Sequence, residues 1–283
     1  MNPKNISEIL LDSLPFIKQF RHQVMVLKYG GAAQINPVLK ESFARDVALL
    51  YMLGIKVIIV HGGGKDINLM LERLQIKTEF INGIRVTNQE AMEVAEMVLS
   101  GKINKELTDL LNTHGAKAVG LSGKDGRIFG AKPMELEGIS AEEHFTGEIQ
   151  ETDSHLLELL VNGGFVPVVS PVAYGQNHKG YNINADFVAC SIAKSMRASK
   201  VIFMTDTKGV LDQEGNLISS ISEVSFKKLR EQGVITGGMI PKISSCLECV
   251  RSGVKKAHII DGRLQHSILL ELFTSNGIGT EIC

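Results

Sequence analysis

The chain has 283 residues, with 30 lysines and arginines against 31 acids and a formal charge of -1. No global basic field is available to hold nucleic acid. Apolar content of 44% with 22% charged residues is that of an ordinary globular protein, long enough to bury a large core as one α/β unit or two lobes. No apolar run reaches the roughly 18 residues of a membrane span. The N-terminus lacks a signal peptide's apolar segment and small-residue cleavage site, and Glu8 and Asp12 argue against a transit peptide. Four scattered cysteines do not suggest a disulfide scaffold, so a reduced, cytoplasmic protein is expected.

In chain order, residues 5 to 20 read as a helix. Asn5 and Glu8 resemble a capping box, and Ile6, Ile9, Leu10, Leu14, Ile17 and Phe20 recur at helical spacing. Pro15 should kink it. Such a helix either packs on its own domain or forms an oligomer arm. A strand at 24–28 precedes a helix that opens at Asn36-Pro37 and runs towards Gly54. A strand at 56–60 leads through three glycines into a helix near 66–74. Further expectations are a helix at 88–100, a strand at 117–121, a helix at 153–162 and a strand at 165–169. A helix at 185–196, a strand at 201–205, helices at 225–232 and 241–252 and a strand at 256–260 complete the series. This βα rhythm predicts a mostly parallel sheet covered on both faces. Between 122 and 150 the rhythm fails, and short polar pieces suggest hairpins that cover a site.

Two glycine turns stand directly after strands, Lys28-Tyr29-Gly30-Gly31 and Val60-His61-Gly62-Gly63-Gly64. Consecutive glycines let the backbone bend sharply and press its N–H groups against a ligand. A following helix would aim its dipole the same way. Lys28 adds a fixed cation at the strand tip, and the combination suits a phosphate chain being transferred. Neither GxGxxG nor GxxxxGK[ST] occurs. Lys242 follows Pro241 in a first helical turn, where a cation opposes the dipole unless an anion is near. In Asn182-Ile183-Asn184-Ala185-Asp186 the spacing fits a turn and helix cap, or else Asp186 orients both lysines while Asn182 binds an acceptor. The calcium-loop glycine and glutamate are missing. Arg85 is either a surface residue or a bidentate clamp for a carboxylate. Cys246 and Cys249 read as packing residues in a helix, and no metal-ligand spacing is evident, so no metal site is expected.

Together, Val26–Gly31, Val60–Gly64, Asn82-Gly83-Ile84-Arg85-Val86-Thr87, Asn182–Asp186 and Gly237-Gly238-Met239-Ile240-Pro241-Lys242 resemble the amino-acid kinase family, in family order and over nearly the whole chain. Within it they are similar to the members that phosphorylate N-acetyl-L-glutamate in arginine synthesis. The resemblance implies a three-layer αβα sandwich with a mostly parallel central sheet, preceded by the N-terminal helix. It further implies a division into residues 1–20 as an oligomer arm, 21–197 as an acetylglutamate lobe with a dimer interface, and 198–283 as a nucleotide lobe. Lys28 and Lys242 would stabilise the transferring phosphoryl group, with Asp186 organising them. Gly63, Gly64, Arg85 and Asn182 would hold the acceptor. Gly30 and Gly31, the loop Asp206-Thr207-Lys208-Gly209-Val210-Leu211, and Val234, Ile235 and Thr236 would surround ATP, with Mg2+ arriving on its phosphates.

The N-terminal helix and the tail from Ala257 to Thr280 resemble the arginine-inhibited subgroup, in which the arm interlaces dimers into a hexamer. That likeness places Lys200, His258, Glu271 and Gly277 at an arginine site. The arm carries Phe16 where a tyrosine is expected, and Ala32-Ala33-Gln34 departs from the commoner wording after the first glycines. Two other readings stay open: a family kinase with another acceptor, such as an aminoadipate derivative, and a non-catalytic protein that senses ATP or arginine.

Overall fold

The computed structural model describes residues 3–81 and 83–283, without the side chains of residues 3–6 and 177. The expected Asn5 cap and Asn82 therefore lie outside the described residues. The chain opens with α1 (Pro3–Phe20), which continues through Pro15, then β1 (Val24–Tyr29) and α2 (Pro37–Met52). The Asn36 side chain caps α2 by accepting from the N–H groups of Val38 and Leu39, as the Asn-Pro pair predicts. β2 (Lys56–His61) and α3 (Gly64–Arg73) follow, then a short hairpin of β3 (Glu79–Ile81) and β4 (Ile84–Val86).

One long helical run comes next: α4 (Gln89–Glu96), a π-turn (Met97–Ile103) and α5 (Asn104–Thr113). The helix expected at 88–100 does not stop there, because the wider π-turn carries the run through Ser100 and Gly101 into α5. β5 (Ala118–Ser122), β6 (Phe129–Pro133) and β7 (Gly147–Thr152) precede α6 (His155–Asn162). β8 (Val166–Ser170), β9 (Val172–Tyr174) and β10 (Gly180–Asn182) lead to α7 (Ala185–Ser195). The chain finishes with β11 (Lys200–Thr205), β12 (Ser220–Ile221), α8 (Glu223–Glu231), α9 (Met239–Arg251), β13 (Ala257–Asp261), α10 (Ser267–Leu272) and β14 (Thr280–Ile282).

Eight strands form the central sheet in the order β12-β14-β13-β11-β1-β2-β8-β5. Every neighbouring pair is parallel except β13 with β14. Alternation along β1 explains the three layers. Met25, Leu27 and Tyr29 pack with Phe43, Val47 and Leu50 of α2 and Leu107 and Leu111 of α5. Val26, on the other face, packs with Leu157 of α6, Val188 and Ile192 of α7 and Ile243 and Leu247 of α9. Burial on both faces is what central parallel strands require, and the αβα sandwich is as expected. β6 and β7 pair antiparallel within a second sheet, ordered β10-β9-β6-β7, which accounts for the broken rhythm between 122 and 150.

The expected division after residue 197 falls between α7 and β11, inside one continuous sheet, since β11 pairs directly with β1. Among the described residues no helix is long and apolar enough to cross a membrane. Cys190 of α7 and Cys249 of α9 are joined by a disulfide, with Cα atoms 5.3 Å apart. This corrects the reading of the cysteines as unlinked, because residues 59 apart in sequence meet only through helix packing.

Candidate active site

β1 and β2 lie side by side, with Lys28 opposite Val60 and Tyr29 opposite His61. Their glycine turns therefore emerge together at the carboxyl edge of the sheet, the usual place for ligands in parallel α/β folds. The N–H of Gly62 donates to Tyr29 O at 2.8 Å, and the Gln34 side chain donates to Gly62 O at 2.7 Å. Gly31 adopts φ 68°, a left-handed conformation that glycine takes freely. Its hydrogen faces the carboxylate of Asp206 so closely that a Cβ would collide with it. Asp206 in turn accepts from the N–H of Ala32 at 2.6 Å, tying the first turn to the end of β11.

The two lysines converge on one carboxylate. Lys28 Nζ lies 3.0 Å from Asp186 Oδ1, and Lys242 Nζ donates to Asp186 Oδ2 at 2.8 Å. Each carboxylate oxygen of Asp186 thus faces one ammonium group. Asp186 sits in the first turn of α7, where an anion suits the helix dipole, and the Asn184 side chain caps the same turn by accepting from its N–H. Burial alone would raise the Asp186 pKa; the combined attraction of Lys28 and Lys242 outweighs that and holds it at about 2. Lys242 does occupy the first turn of α9, which begins at Met239 rather than at Pro241. Asp186 is the anion that offsets its unfavourable placement.

A cleft of about 380 Å³ opens beside this group, lined by Lys28, both glycine turns, Arg85 and Asn182. Arg85 is buried. It donates to Thr78 Oγ1 at 3.0 Å, to Gly64 O at 3.3 Å and to Asn68 Oδ1, with its guanidinium over the Phe80 ring. Desolvation lowers its pKa, the physical cost of holding a cation ready inside a pocket. Asn182 donates to Thr87 Oγ1 at 3.1 Å. Asn68 is a cleft residue that sequence reading missed, because one polar side chain on a helix carries no spacing signal.

A model of the amino acid kinase family matches residues 23–261. The chain belongs to the amino acid kinase family. It is 57% identical over 277 residues to an acetylglutamate kinase of Helicobacter hepaticus (strain ATCC 51449 / 3B1), covering 97% of this chain and 98% of that protein. It is 57% identical over 279 residues to an acetylglutamate kinase of Wolinella succinogenes, covering 98% and 97%. Among solved structures it resembles the N-acetylglutamate synthase of Neisseria gonorrhoeae complexed with coenzyme A and N-acetyl-glutamate, with TM-score 0.88 and 25% identity. That likeness covers 98% of this chain, which spans 63% of the synthase.

Other positions suggested by likeness to the amino acid kinase family fall into two groups. Of the suggested nucleotide residues, Gly30 and Gly31 line the cleft. Asp206, Thr207, Lys208 and Thr236 are exposed, and Leu211 and Val234 are half-buried. Val210 and Ile235 point into the core instead, and Gly209 is covered by Leu217 and Thr280. The backbone of Val210 is engaged as well, its N–H donating to Thr280 Oγ1 at 2.9 Å and its carbonyl accepting from the N–H of Ile218 at 2.8 Å. The second group meets as a buried cluster. Lys200 Nζ lies 3.1 Å from His258 Nε2, His258 Nδ1 meets Glu271 Oε1, and Glu271 Oε2 accepts from the N–H groups of Ile278 and Gly279. Gly277, at φ 61°, passes close to the same carboxylate. Burial lowers the Lys200 pKa against the pull of Glu271 and Glu281. Among the described residues no group of three His, Cys, Asp or Glu side chains has metal-binding geometry.

Proposed function

We propose that this chain phosphorylates the γ-carboxylate of N-acetyl-L-glutamate with ATP, giving N-acetyl-L-glutamyl 5-phosphate for arginine synthesis. The observation that carries the reading is the pair of lysines held by one carboxylate at the rim of a glycine-lined cleft. The names of the full-length relatives support the acceptor. A γ-carboxylate is already ionised at neutral pH, so no general base is needed to make the nucleophile. What remains is alignment and neutralisation of charge on the equatorial oxygens in flight. Lys28 and Lys242 would supply the cations, and Asp186 would keep them apart and oriented. Arg85 and Asn182 would hold the acceptor, with Gly63 and Gly64 at its reacting γ-carboxylate end, where the phosphoryl group arrives. The loop 206–211 and residues 234–236 would lie around the nucleotide. A Mg2+ ion would be bound through phosphate oxygens, consistent with a site rich in lysine and poor in carboxylates.

The cluster of Lys200, His258, Glu271 and Gly277 is the proposed arginine site, and α1 the proposed arm of a homo-oligomer, a dimer or a trimer of dimers. The test is a hydroxylamine-trapping assay with MgATP and N-acetylglutamate, run with and without arginine and against a panel of other acceptors. Acyl-hydroxamate formed only with acetylglutamate is the expected result. Nucleotide binding without turnover on any acceptor would replace this reading with that of a sensor.

A further inference from the structure

His61, the last residue of β2 before the second glycine turn, is fully buried. Its Nε2 lies 3.2 Å from Asn104 Nδ2, and its Nδ1 lies 2.9 Å from Gly62 O. Asn104 Nδ2 also donates to Val168 O at 2.8 Å and Leu121 O at 3.2 Å, while its Oδ1 accepts from Lys105 Nζ at 3.2 Å. Two carbonyl oxygens can face only the NH2 end of an amide, so that end is also turned to His61 Nε2, which can only accept, sharing the amide's two hydrogens with the carbonyls; Nδ1, facing Gly62 O, must be the donor. The ring proton is thereby placed on Nδ1 and donated to Gly62 O. Gln34 donates to that same oxygen at 2.7 Å. Burial, opposed by the Gly62 bond and helped by the Lys105 charge, lowers the His61 pKa to about 4 and keeps the ring neutral.

The π-turn is what delivers Asn104. The backbone N–H of Asn104 donates to Leu99 O, five residues earlier, so the wide turn returns residue 104 over residue 99. An α-helical turn would bring residue 103 there and swing 104 aside. The same turn presses Leu99 and Ile103 against Gly63, where a Cβ would lie 2.6 and 2.5 Å from their methyl groups.

The described chain has no cis peptide, so the Gly63 N–H points opposite to the Gly62 carbonyl. With that oxygen held by His61 and Gln34, the N–H faces away from both. Among the described residues no protein group accepts from the N–H of Gly63 or Gly64, and both glycines share the cleft with Lys28. We infer that His61, Asn104 and Gln34 are positioning residues that lock the Gly62–Gly63 peptide, presenting the Gly63 N–H beside Lys28 to an oxygen of the phosphoryl group in flight. The inference rests on the phosphoryl-transfer reading of this cleft. A donor aimed in advance at developing charge acts on the transition state more than on bound substrate.

Gln34→Met keeps side-chain length and removes the donor at a half-buried position; Asn104→Leu removes the support of His61. Each should lower kcat by roughly 10- to 100-fold, with the KM of both substrates changed less than about threefold. Crystal structures of the variants should show the Gly62–Gly63 peptide rotated. Should Asn104→Leu fail to fold, Gln34→Met decides. A wild-type kcat, a rise in KM alone, or a Gly62 carbonyl that keeps its direction in Gln34→Met would overturn the inference. So would a limb near neutral pH in the kcat profile that His61→Gln abolishes, since the ring would then be carrying protons. The peptide orientation is read without any substrate. A rotated peptide in an enzyme inactive on acetylglutamate would therefore discredit the acceptor and leave the positioning role standing.

Discussion

At the scale of residues, the site is an electrostatic balance set by Asp186 between two lysines. Lys28→Ala or Lys242→Ala should each reduce kcat by about 10²-fold or more, the effect of losing one preorganised charge; steady-state kinetics on purified variants checks this. Arg85→Lys should chiefly raise the KM for acetylglutamate, because an ammonium cannot reproduce the planar fork that reaches Thr78, Gly64 and Asn68. Asp186 also predicts a pH effect. Its carboxyl is depressed from 3.8 to about 2 in the folded chain, so the unfolded chain takes up a proton first as pH falls. The stabilisation is fully present above pH 4 and lost towards pH 2, about 2 kcal/mol in all. Urea titrations across that window should show a shallower loss of stability in Asp186→Asn than in the wild type.

Elements place these residues by packing that spans the chain. α7 and α9 bring Asp186 and Lys242 together, and the Cys190–Cys249 disulfide fastens the same two helices. Alkylation of the unfolded, unreduced protein should modify two cysteines, Cys246 and Cys283, and four after reduction, as read by mass. Closing a loop of this length is worth about 4 kcal/mol in the chain-entropy picture, so the reduced protein should also melt at a lower temperature. The π-turn between α4 and α5 plays a comparable part behind the second glycine turn, where a regular helix would misplace Asn104.

At the scale of the whole molecule, α1 leaves a run of apolar side chains uncovered by the rest of the described chain. Phe20 is buried and Phe16 packs against the core, yet Ile9, Leu10, Leu11 and Leu14 remain 41–66% exposed along α1. A helix with that much apolar surface in water is suited to a partner, which supports the reading as an oligomer arm. Sedimentation should show an assembly larger than a dimer, reduced on deletion of residues 1–20, with activity that falls when arginine is added. A dimer indifferent to arginine would leave the buried Lys200, His258 and Glu271 cluster as a structural network.

The alternation of short apolar runs with amphipathic helices was enough to establish a mostly parallel sheet covered on both faces, because an apolar run and a 3.6-residue period are both local signals. The glycine turns were legible for the same reason: a strand, a fixed lysine and consecutive glycines declare a backbone built for close approach. Motif order extended this to Lys242, Asp186 and Arg85. The short strands β9, β10, β12 and β14 were invisible, being too brief for any period and held by pairing with distant neighbours. So were the inward turn of Val210 and Ile235, the cysteine pair and the His61–Asn104 support. Each depends on which elements touch, and contact between residues far apart in sequence is settled only when the sheet order and helix packing are in place.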